Sequence, residues 1–360
     1  MKMNFNSSQE KIIKTDAARV VVHASAGSGK TRCLVGRLQY LLDNGVNPED
    51  IIAITFTNAA ADEIIERLNK PNGMFIGTIH SLANHFLTTY GIHTFDLLEK
   101  EDFDGLFNRI KQFPACIKTA KHLLLDEGQD SSPDQFEFLL EDINPENWMI
   151  FADVRQSIYR WNGAYPDYIF ELMERSDVTT YDLNENYRCG SKIIDFASSL
   201  IQPLGLKYKD RSLPARNEDG EVVLVEYSLN GLVQTIKRRV ENGTDNYSDW
   251  FVLTRTNNES ETVLNALKSI KIPCESFKKK AMSSTGLKEK MANNTVKVLT
   301  IHVSKGLEAK NVVVIGGKFR NTEERCICYV AATRARDLLV WTYEQSKTKK
   351  KKNRNMVNWE

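Results

Sequence analysis

The chain has 360 residues, with 48 Lys and Arg against 47 Asp and Glu, and so carries a formal net charge of +1. This balance excludes a polycation that coats nucleic acid, so any nucleic-acid surface must be a local patch or groove. No apolar run approaches the roughly 18 residues of a membrane span, and residues 1–16 lack the apolar core of a signal peptide. We therefore expect a soluble, cytoplasmic protein with no membrane partner. Six scattered cysteines without paired CxxC motifs predict reduced thiols and no zinc site.

Short apolar runs alternate with helical patterns along the chain, which is typical of parallel α/β layers. The predicted strands of a first set are Val20–His23, Ile51–Thr55, Leu123–Asp126, Met149–Asp153 and Tyr181–Leu183. Those of a second set are Val222–Tyr227, Phe251–Thr254, Val296–Ile301, Val312–Ile315 and Leu338–Trp341. The two sets predict two α/β units, with residues 1–185 in the first and residues 186–345 in the second.

Three segments outside these strands differ in composition from the rest of the chain. Residues 278–294 are polar and basic, which predicts a loop or short linker. Residues 82–121 are predicted to form a short insertion in the first unit. The tail, residues 346–360, contains the lysine run Lys347–Arg354, which is more typical of a solvated end than of a structured site.

A glycine-rich loop directly follows the first predicted strand and precedes a helix predicted over Thr31–Asn44. Gly27 and Gly29 allow the tight turn that points backbone N–H groups at phosphate oxygens. In such a loop the lysine reaches the β- and γ-phosphates and the threonine hydroxyl ligates Mg²⁺. The strict pattern has glycine at the first position, where this chain has alanine. The phosphate-binding candidates are Ala24, Ser25, Ala26, Gly27, Ser28, Gly29, Lys30 and Thr31.

An apolar strand that ends in Asp126-Glu127 supplies the second chemical signal. The carboxyl ends of parallel strands meet at one sheet edge, so these carboxylates are expected beside the phosphate loop. Asp126 would hold Mg²⁺, and Glu127 would orient and deprotonate the attacking water. Gln156, which follows another predicted strand, could sense the γ-phosphate or its water.

The order of motifs along the chain resembles that of UvrD/Rep-type superfamily 1 helicases. The matching segments are Asn6–Gln9, Ala24–Thr31, Ile54–Ala60, Gly77–Ser81, Asp126–Asp130, Asp153–Ala164, Asn186–Arg188, Val252–Asn257, Thr300–Glu308 and Tyr329–Ala335. The resemblance covers nearly the whole chain. It implies an α/β fold of two RecA-like P-loop NTPase cores with parallel sheets and a nucleotide cleft between them.

The resemblance also implies ATP and Mg²⁺ as cofactors and gives roles to residues around the cleft. Gln9 would read adenine and Tyr187 would stack on it. Arg188 and Arg334 would act as arginine fingers from the second core, so the site would be complete only when the cleft closes. Glu308 would contact the ribose.

Strand binding needs aromatic faces for bases and polar groups for the backbone. The candidates for stacking or for base pockets are Phe56, Tyr159 and Trp161. The candidates for backbone or sugar contacts are Asn58, Thr78, His80, Arg255 and His302. The aromatic residues could instead be core residues, and the two histidines could be structural.

The chain departs from the family pattern in several places. Asn162 stands where the family usually has arginine, which removes one expected ion pair of the coupling motif. Ala152 replaces a glycine before Asp153. The large regulatory subdomain that the family inserts before Thr300 has only about twenty polar residues in its place, and no nuclease motif follows Arg334.

The resemblance therefore implies a compact ATP-driven translocase and DNA helicase that moves 3′→5′ on single-stranded DNA. Its partners would be single-stranded DNA, junctions of single strand and duplex, and replication or repair proteins. An alternative is an accessory factor that binds single strands or displaces proteins, whose ATP cycle switches affinity without processive unwinding. A small-molecule kinase leaves the motifs after Asp153 unexplained.

Overall fold

The structure, a computed structural model, describes residues 4–68, 72–277, 284–317 and 321–343. The predicted basic tail lies outside these ranges. Two large parallel sheets with helices on their faces dominate the described residues, and the predicted α/β class is confirmed. No helix among these residues is both long and apolar enough to span a membrane.

The first sheet has the strand order β3-β2-β4-β5-β1-β6, and each pair of neighbours is parallel. Its strands are β1 (Arg19–Ala24), β2 (Ile51–Ile54), β3 (Phe75–Gly77), β4 (His122–Leu125), β5 (Asn147–Ala152) and β6 (Thr179–Leu183). The helices of this half are α1 (Ser7–Ile13), α2 (Lys30–Asp43), α3 (Asn58–Leu68), α4 (Ile79–Thr89), α5 (Phe95–Glu99), α6 (Phe103–Gln112), α7 (Pro133–Glu137) and α8 (Asp167–Glu174). The central strands are apolar and buried because helices cover both faces.

The second sheet has the order β11-β12-β10-β13-β14-β9 and is also parallel throughout. Its strands are β9 (Glu221–Glu226), β10 (Trp250–Thr254), β11 (Cys274–Ser276), β12 (Val296–Thr300), β13 (Ala309–Val314) and β14 (Ala335–Tyr343), and a two-stranded pair joins β7 (Glu185–Asn186) to β8 (Leu213–Pro214). The helices are α9 (Ser191–Ile201), α10 (Leu229–Glu241), α11 (Asn257–Ser269), α12 (Ser284–Ala292), α13 (Ile301–Ser304) and α14 (Thr322–Ala332).

One apolar cluster runs continuously between the two sheets. It contains Ile54 and Ile150 of the first sheet together with Leu253 and Val314 of the second, and helices α9 and α14 contribute to it. The outer faces of the two sheets have separate clusters. The carboxyl ends of β1, β4 and β5 lie next to one another in the first sheet, which places the loops that follow them at one edge.

All ten predicted strands are present, with ends that differ by at most three residues. The unpredicted strands β3, β7, β8 and β11 are only two or three residues long, too short for an alternating pattern. The loop predicted within residues 278–294 is wrong for Ser284–Ala292, which form α12. Lys288 of this helix forms an ion pair of 2.5 Å with Glu66 of α3, a contact that local composition cannot reveal. Residues 278–283 of that predicted loop lie outside the described ranges.

Candidate nucleotide site and nucleic-acid interface

The glycine-rich loop joins the end of β1 to the start of α2. Gly27 and Gly29 have φ of +67° and +81°, the left-handed conformation that glycine adopts without strain. A Cβ on Gly27 would lie 2.8 Å from both the Cβ of Arg188 and the Oδ1 of Asn186. Glycine is therefore also needed here because the Asn186–Arg188 segment packs closely against the loop.

The loop has hydrogen-bonding capacity that the protein itself does not use. Among the described residues, the hydroxyl oxygens of Ser25 and Ser28 are buried without a hydrogen-bond partner. Buried polar groups are normally satisfied, so these two hydroxyls indicate a polar ligand. The 14-residue helix α2 begins at Lys30 and directs its N-terminus at the same place, which favours an anion. The loop therefore fits a phosphate group.

Two predicted Mg²⁺ ligands meet beside this loop. The Thr31 hydroxyl donates to Asp126 Oδ2 at 2.9 Å. Burial and the neighbouring Glu127 charge raise the pKa of Asp126 to about 6. A hydroxyl and a carboxylate oxygen in contact are hard oxygen ligands of the kind that Mg²⁺ prefers, so this pair fits the metal.

The predicted general base lies between two lysines. Glu127 Oε1 is 3.6 Å from Lys30 Nζ, and Glu127 Oε2 is 3.6 Å from Lys305 Nζ. Burial alone would raise the pKa of Glu127, but the two ammonium charges outweigh it and lower the pKa to about 2. Glu127 is therefore ionised at neutral pH and able to accept a hydrogen bond from water.

Gln156 and Arg334 meet across the interface of the two sheets. Gln156 donates from Nε2 to Asp153 Oδ2 at 2.7 Å, and its Oε1 accepts from Arg334 Nη2 at 3.0 Å. Arg334 is 1% exposed and also donates to the Leu307 and Val330 carbonyl oxygens. Burial and the nearby Arg188 charge lower the pKa of Arg334 to about 9, so the guanidinium remains charged at neutral pH.

The remaining nucleotide candidates lie on both sides of the phosphate loop. Gln9 donates to the Ser28 carbonyl at 3.2 Å, and the Tyr187 backbone N–H donates to the Gly27 carbonyl at 3.0 Å. The Tyr187 ring is 45% exposed, which leaves a face for a ligand. Arg188 donates to Glu308 Oε2 at 2.6 Å, so the two residues form an ion pair.

Lys305 is a site residue to which sequence reasoning gave no role. Its ammonium group forms an ion pair with Asp130 as well as with Glu127, and it donates to the Gln156 carbonyl at 2.8 Å. The lysine side chain is only 8% exposed. The sequence indicated Lys305 only by its position inside the motif Thr300–Glu308. Its acidic partners could not be predicted, because they depend on contacts between the two halves of the chain.

Four of the predicted nucleic-acid residues form one cluster, which we call the aromatic cluster: Phe56, Tyr159, Trp161 and His302. Phe56 and Tyr159 stack with ring centroids 4.8 Å apart, and the Trp161 and His302 rings lie 6.3 and 5.9 Å from Tyr159. Tyr159 is 5% exposed and supports its neighbours, whereas Trp161 is 68% exposed. Trp161 therefore offers the cluster's most accessible ring.

The other predicted contact residues are held by protein partners or lie apart from these rings. Thr78 caps α4, and His80 packs against the rings of Phe103 and Phe107, where burial lowers its pKa. Arg255 forms an ion pair of 2.6 Å with Glu324. Asn58 is exposed at the start of α3.

The two departures in the coupling motif have different surroundings. Asn162 is exposed at a short turn, and its backbone N–H donates to the Tyr159 carbonyl at 2.9 Å. Ala152 is fully buried at the end of β5. Arg160, two residues before Asn162, pairs with Asp167 at 2.9 Å.

Family models match both halves of the chain. The UvrD/REP helicase N-terminal domain matches residues 5–114 and 104–177, and the UvrD-like helicase C-terminal domain matches residues 181–282 and 275–346. The chain belongs to the UvrD/Rep helicase family. The order of motifs along this member had implied the same family.

Several relatives of this family member carry helicase names. A probable DNA helicase of Mycoplasma pneumoniae is 24% identical over 458 residues, which covers 93% of this chain and 82% of the relative. The ATP-dependent DNA helicase Rep of Buchnera aphidicola is 26% identical and covers 76% of this chain, and DNA helicase II of Escherichia coli is 24% identical and covers 75%.

This family member is shorter than these relatives. It covers 56% of the Rep relative and 51% of DNA helicase II, and so spans about half of their length. The match to the Mycoplasma relative extends over 458 residues, more than the 360 of this chain. Internal segments of that relative therefore have no counterpart here.

Replacing Lys305 by Met is expected to lower the free energy of unfolding by about 3–5 kcal/mol, because it takes the lysine partner away from the buried Asp130 carboxylate, while Glu127 keeps Lys30. Thermal unfolding of the purified variant measures this loss. Adding Asp130→Asn removes this uncompensated charge and should recover part of the stability. A double variant that is less stable than Lys305→Met would contradict the pairing of Lys305 with Asp130.

Proposed function

We propose that this chain is a DNA helicase motor that hydrolyses ATP with Mg²⁺, moves 3′→5′ along single-stranded DNA and separates duplex strands. We also infer that residues 1–185 and 186–345 are its two motor cores. The observation that carries the proposal is the segment from Asp153 to Asn162. One part of this segment holds Gln156 against Arg334, and another part presents Trp161 to solvent. A single short segment thus connects the nucleotide site to the aromatic cluster.

The proposed hydrolysis uses groups from both sheets. Glu127 orients a water molecule and accepts its proton as the water attacks the terminal phosphate, while the bond between that phosphate and ADP breaks and ADP leaves. Lys30 and Arg334 stabilise the negative charge that develops on the transferred phosphoryl group. Thr31 and Asp126 would hold Mg²⁺, which supplies charge neutralisation at the phosphate oxygens.

The base and the sugar would lie at the exposed edge of the same site. The Tyr187 ring would stack on adenine, with Gln9 beside it, and Glu308 would accept a hydrogen bond from the ribose. Arg188 already lies against Gly27 of the phosphate loop and pairs with Glu308, so ribose binding by Glu308 would involve the partner of Arg188. This arrangement makes the complete site depend on the second sheet.

Lys305 supports the proposed link between hydrolysis and strand binding. Its ammonium group lies 5.3 Å from the centroid of the Tyr159 ring and also pairs with Glu127. A base that stacks on Trp161 and shifts Tyr159 would therefore move the charge next to the general base. Strand binding would change the hydrolysis rate by this route.

A second candidate function follows from the internal segments that this chain lacks relative to the Mycoplasma protein. Without them, the motor could act as an accessory factor that switches its affinity for single strands or displaces bound proteins. Both functions use the same ATP site. They differ in whether a duplex is unwound.

The deciding experiment is an unwinding assay with duplexes that carry either a 3′ or a 5′ single-stranded tail. We expect ATP-dependent strand separation of the 3′-tailed duplex and much less of the 5′-tailed one. ATP hydrolysis stimulated by single strands without unwinding of either duplex would favour the accessory factor. The absence of stimulated hydrolysis would contradict both functions.

Replacing Glu127 by Gln is expected to reduce stimulated ATP hydrolysis by about 10²–10⁴-fold, because the amide cannot accept the proton of the attacking water. Nucleotide binding should survive, since the phosphate loop is unchanged. Steady-state hydrolysis and binding of a fluorescent ATP analogue measure the two effects. Glu137→Gln, at an exposed position, is the matched control. Equal loss of hydrolysis and binding in Glu127→Gln would refute the role of general base.

Replacing Trp161 by Ala is expected to weaken single-strand binding by about 1–3 kcal/mol, because one base loses its stacking surface. The strand concentration that half-stimulates hydrolysis should rise accordingly. Fluorescence anisotropy of a labelled oligonucleotide measures the affinity. Trp161→Phe should keep most of it, and Tyr90→Ala, which removes an aromatic ring that is 53% exposed, is the control. Unchanged affinity in Trp161→Ala would exclude stacking there.

A further inference from the structure

A buried arginine of the coupling segment binds parts of the chain that lie far apart in sequence. Arg155, 1% exposed, donates from Nε to Asp153 Oδ1 at 2.6 Å and from Nη2 to the Ala24 carbonyl at 2.6 Å. Its Nη1 donates to Asp210 Oδ1 at 3.0 Å and more weakly to the Lys209 carbonyl at 3.3 Å. This one guanidinium therefore joins the start of the phosphate loop, the coupling segment and the residues that lead into β8.

Asp210 continues the network towards the second sheet. Its Oδ2 accepts from the Tyr329 hydroxyl of α14 at 3.1 Å and from the Ser198 hydroxyl of α9 at 3.0 Å. The Asp210 side chain is 2% exposed, and Tyr329 is fully buried. Helix α14 ends two residues before Arg334, so Asp210 holds the helix that delivers the arginine finger.

Gln156, the proposed γ-phosphate sensor, links the two ends of this hydrogen-bond network. Asp153, which binds Arg155 with Oδ1, accepts from Gln156 with Oδ2, and Gln156 accepts from Arg334. Arg334 is in turn bound to the Val330 carbonyl within α14. The contact between Gln156 and Arg334 is thus held from both ends by one buried set of hydrogen bonds.

We propose that Asp210 is a positioning residue that, through Arg155 and Tyr329, sets the reach of Arg334 to Gln156 and so tunes stimulated ATP hydrolysis. This inference rests on the proposed ATPase function. Asp210 need not touch the nucleotide, because its effect passes through α14 on one side and the coupling segment on the other.

The physical basis is that a buried charge tolerates few arrangements. An ion pair inside a protein is stable only when its geometry is good and its remaining hydrogen-bonding groups are satisfied. Arg155 and Asp210 meet both conditions, since their polar atoms bond to backbone or side chains of several elements. Movement of α14 relative to the coupling segment would have to break this network. The Arg155–Asp210 pair therefore favours one position of α14 relative to the coupling segment.

The test compares three variants of the full chain with the unaltered protein. Asp210→Asn removes the charge at constant size, and Tyr329→Phe removes only the hydroxyl link. Asp245→Asn is the matched control, because Asp245 is an equally buried partner of Arg239 and Lys310 in the second half and contacts no residue of the proposed site. Hydrolysis is measured against ATP at saturating single strand, and thermal unfolding is recorded for each variant.

We expect kcat to fall about tenfold in Asp210→Asn and about threefold in Tyr329→Phe, with KM for ATP changed less than about twofold, as for an interaction coupled to the transition state. Asp245→Asn should keep kcat whatever its effect on stability. If Asp210→Asn fails to fold, Tyr329→Phe carries the test, because it removes a single oxygen atom and keeps the ring.

Two results would overturn the inference. One is a kcat in Asp210→Asn and Tyr329→Phe that matches the Asp245→Asn control. The other is a loss that resides in KM alone, which would indicate a general weakening of the nucleotide site. An unaltered chain that does not hydrolyse ATP would refute the proposed function, and this inference with it, whereas normal hydrolysis in all variants refutes only the inference.

Discussion

The need to pair buried charge organises the contact between the two sheets. Lys305, which follows α13 in the second half, has its ammonium group next to Glu127 and Asp130, which follow β4 in the first half. Arg155 of the first half meets Asp210, which is bonded to α14 of the second. Leaving any of these groups without its partner would cost several kcal/mol. The two halves therefore have few relative positions in which every charge is satisfied.

This constraint also sets the chemistry of the candidate site. The pKa of Glu127 is low because the Lys30 and Lys305 charges outweigh its burial, whereas burial and the Arg188 charge together lower the pKa of Arg334. The low pKa keeps Glu127 ionised at neutral pH. The lowered pKa of Arg334 indicates that few negative charges neutralise its guanidinium, which favours binding of an anion there. Both depend on groups from the two sheets, so either half alone would hold a different electrostatic site.

The aromatic cluster shows how packing assigns different roles to similar residues. Tyr159 and Trp161 are two positions apart in one segment, yet the first is buried between rings and the second is mostly exposed. Tyr159 also faces the ammonium group of Lys305. The cluster therefore has a buried part next to Lys305 and an exposed part that is accessible from solvent.

Sequence by itself determined the two α/β halves, the phosphate loop, the Asp126-Glu127 pair and the family. These features are local: an apolar strand, a glycine turn and a strand-end carboxylate each lie within a few consecutive residues. It also indicated Gln156, from its position after a predicted strand, and Arg334, through the family resemblance, but nothing near either residue indicates that they touch.

Only the tertiary structure decided which partners these groups meet. The roles of Lys305, Asp210 and Arg155 depend on contacts between residues tens to more than a hundred positions apart, and no local pattern carries that information. Local sequence also did not predict α12, whose Lys288 forms an ion pair with Glu66 in the other half of the chain. Local sequence determines how a segment folds, whereas burial and the pairing of charge are properties of the assembled molecule.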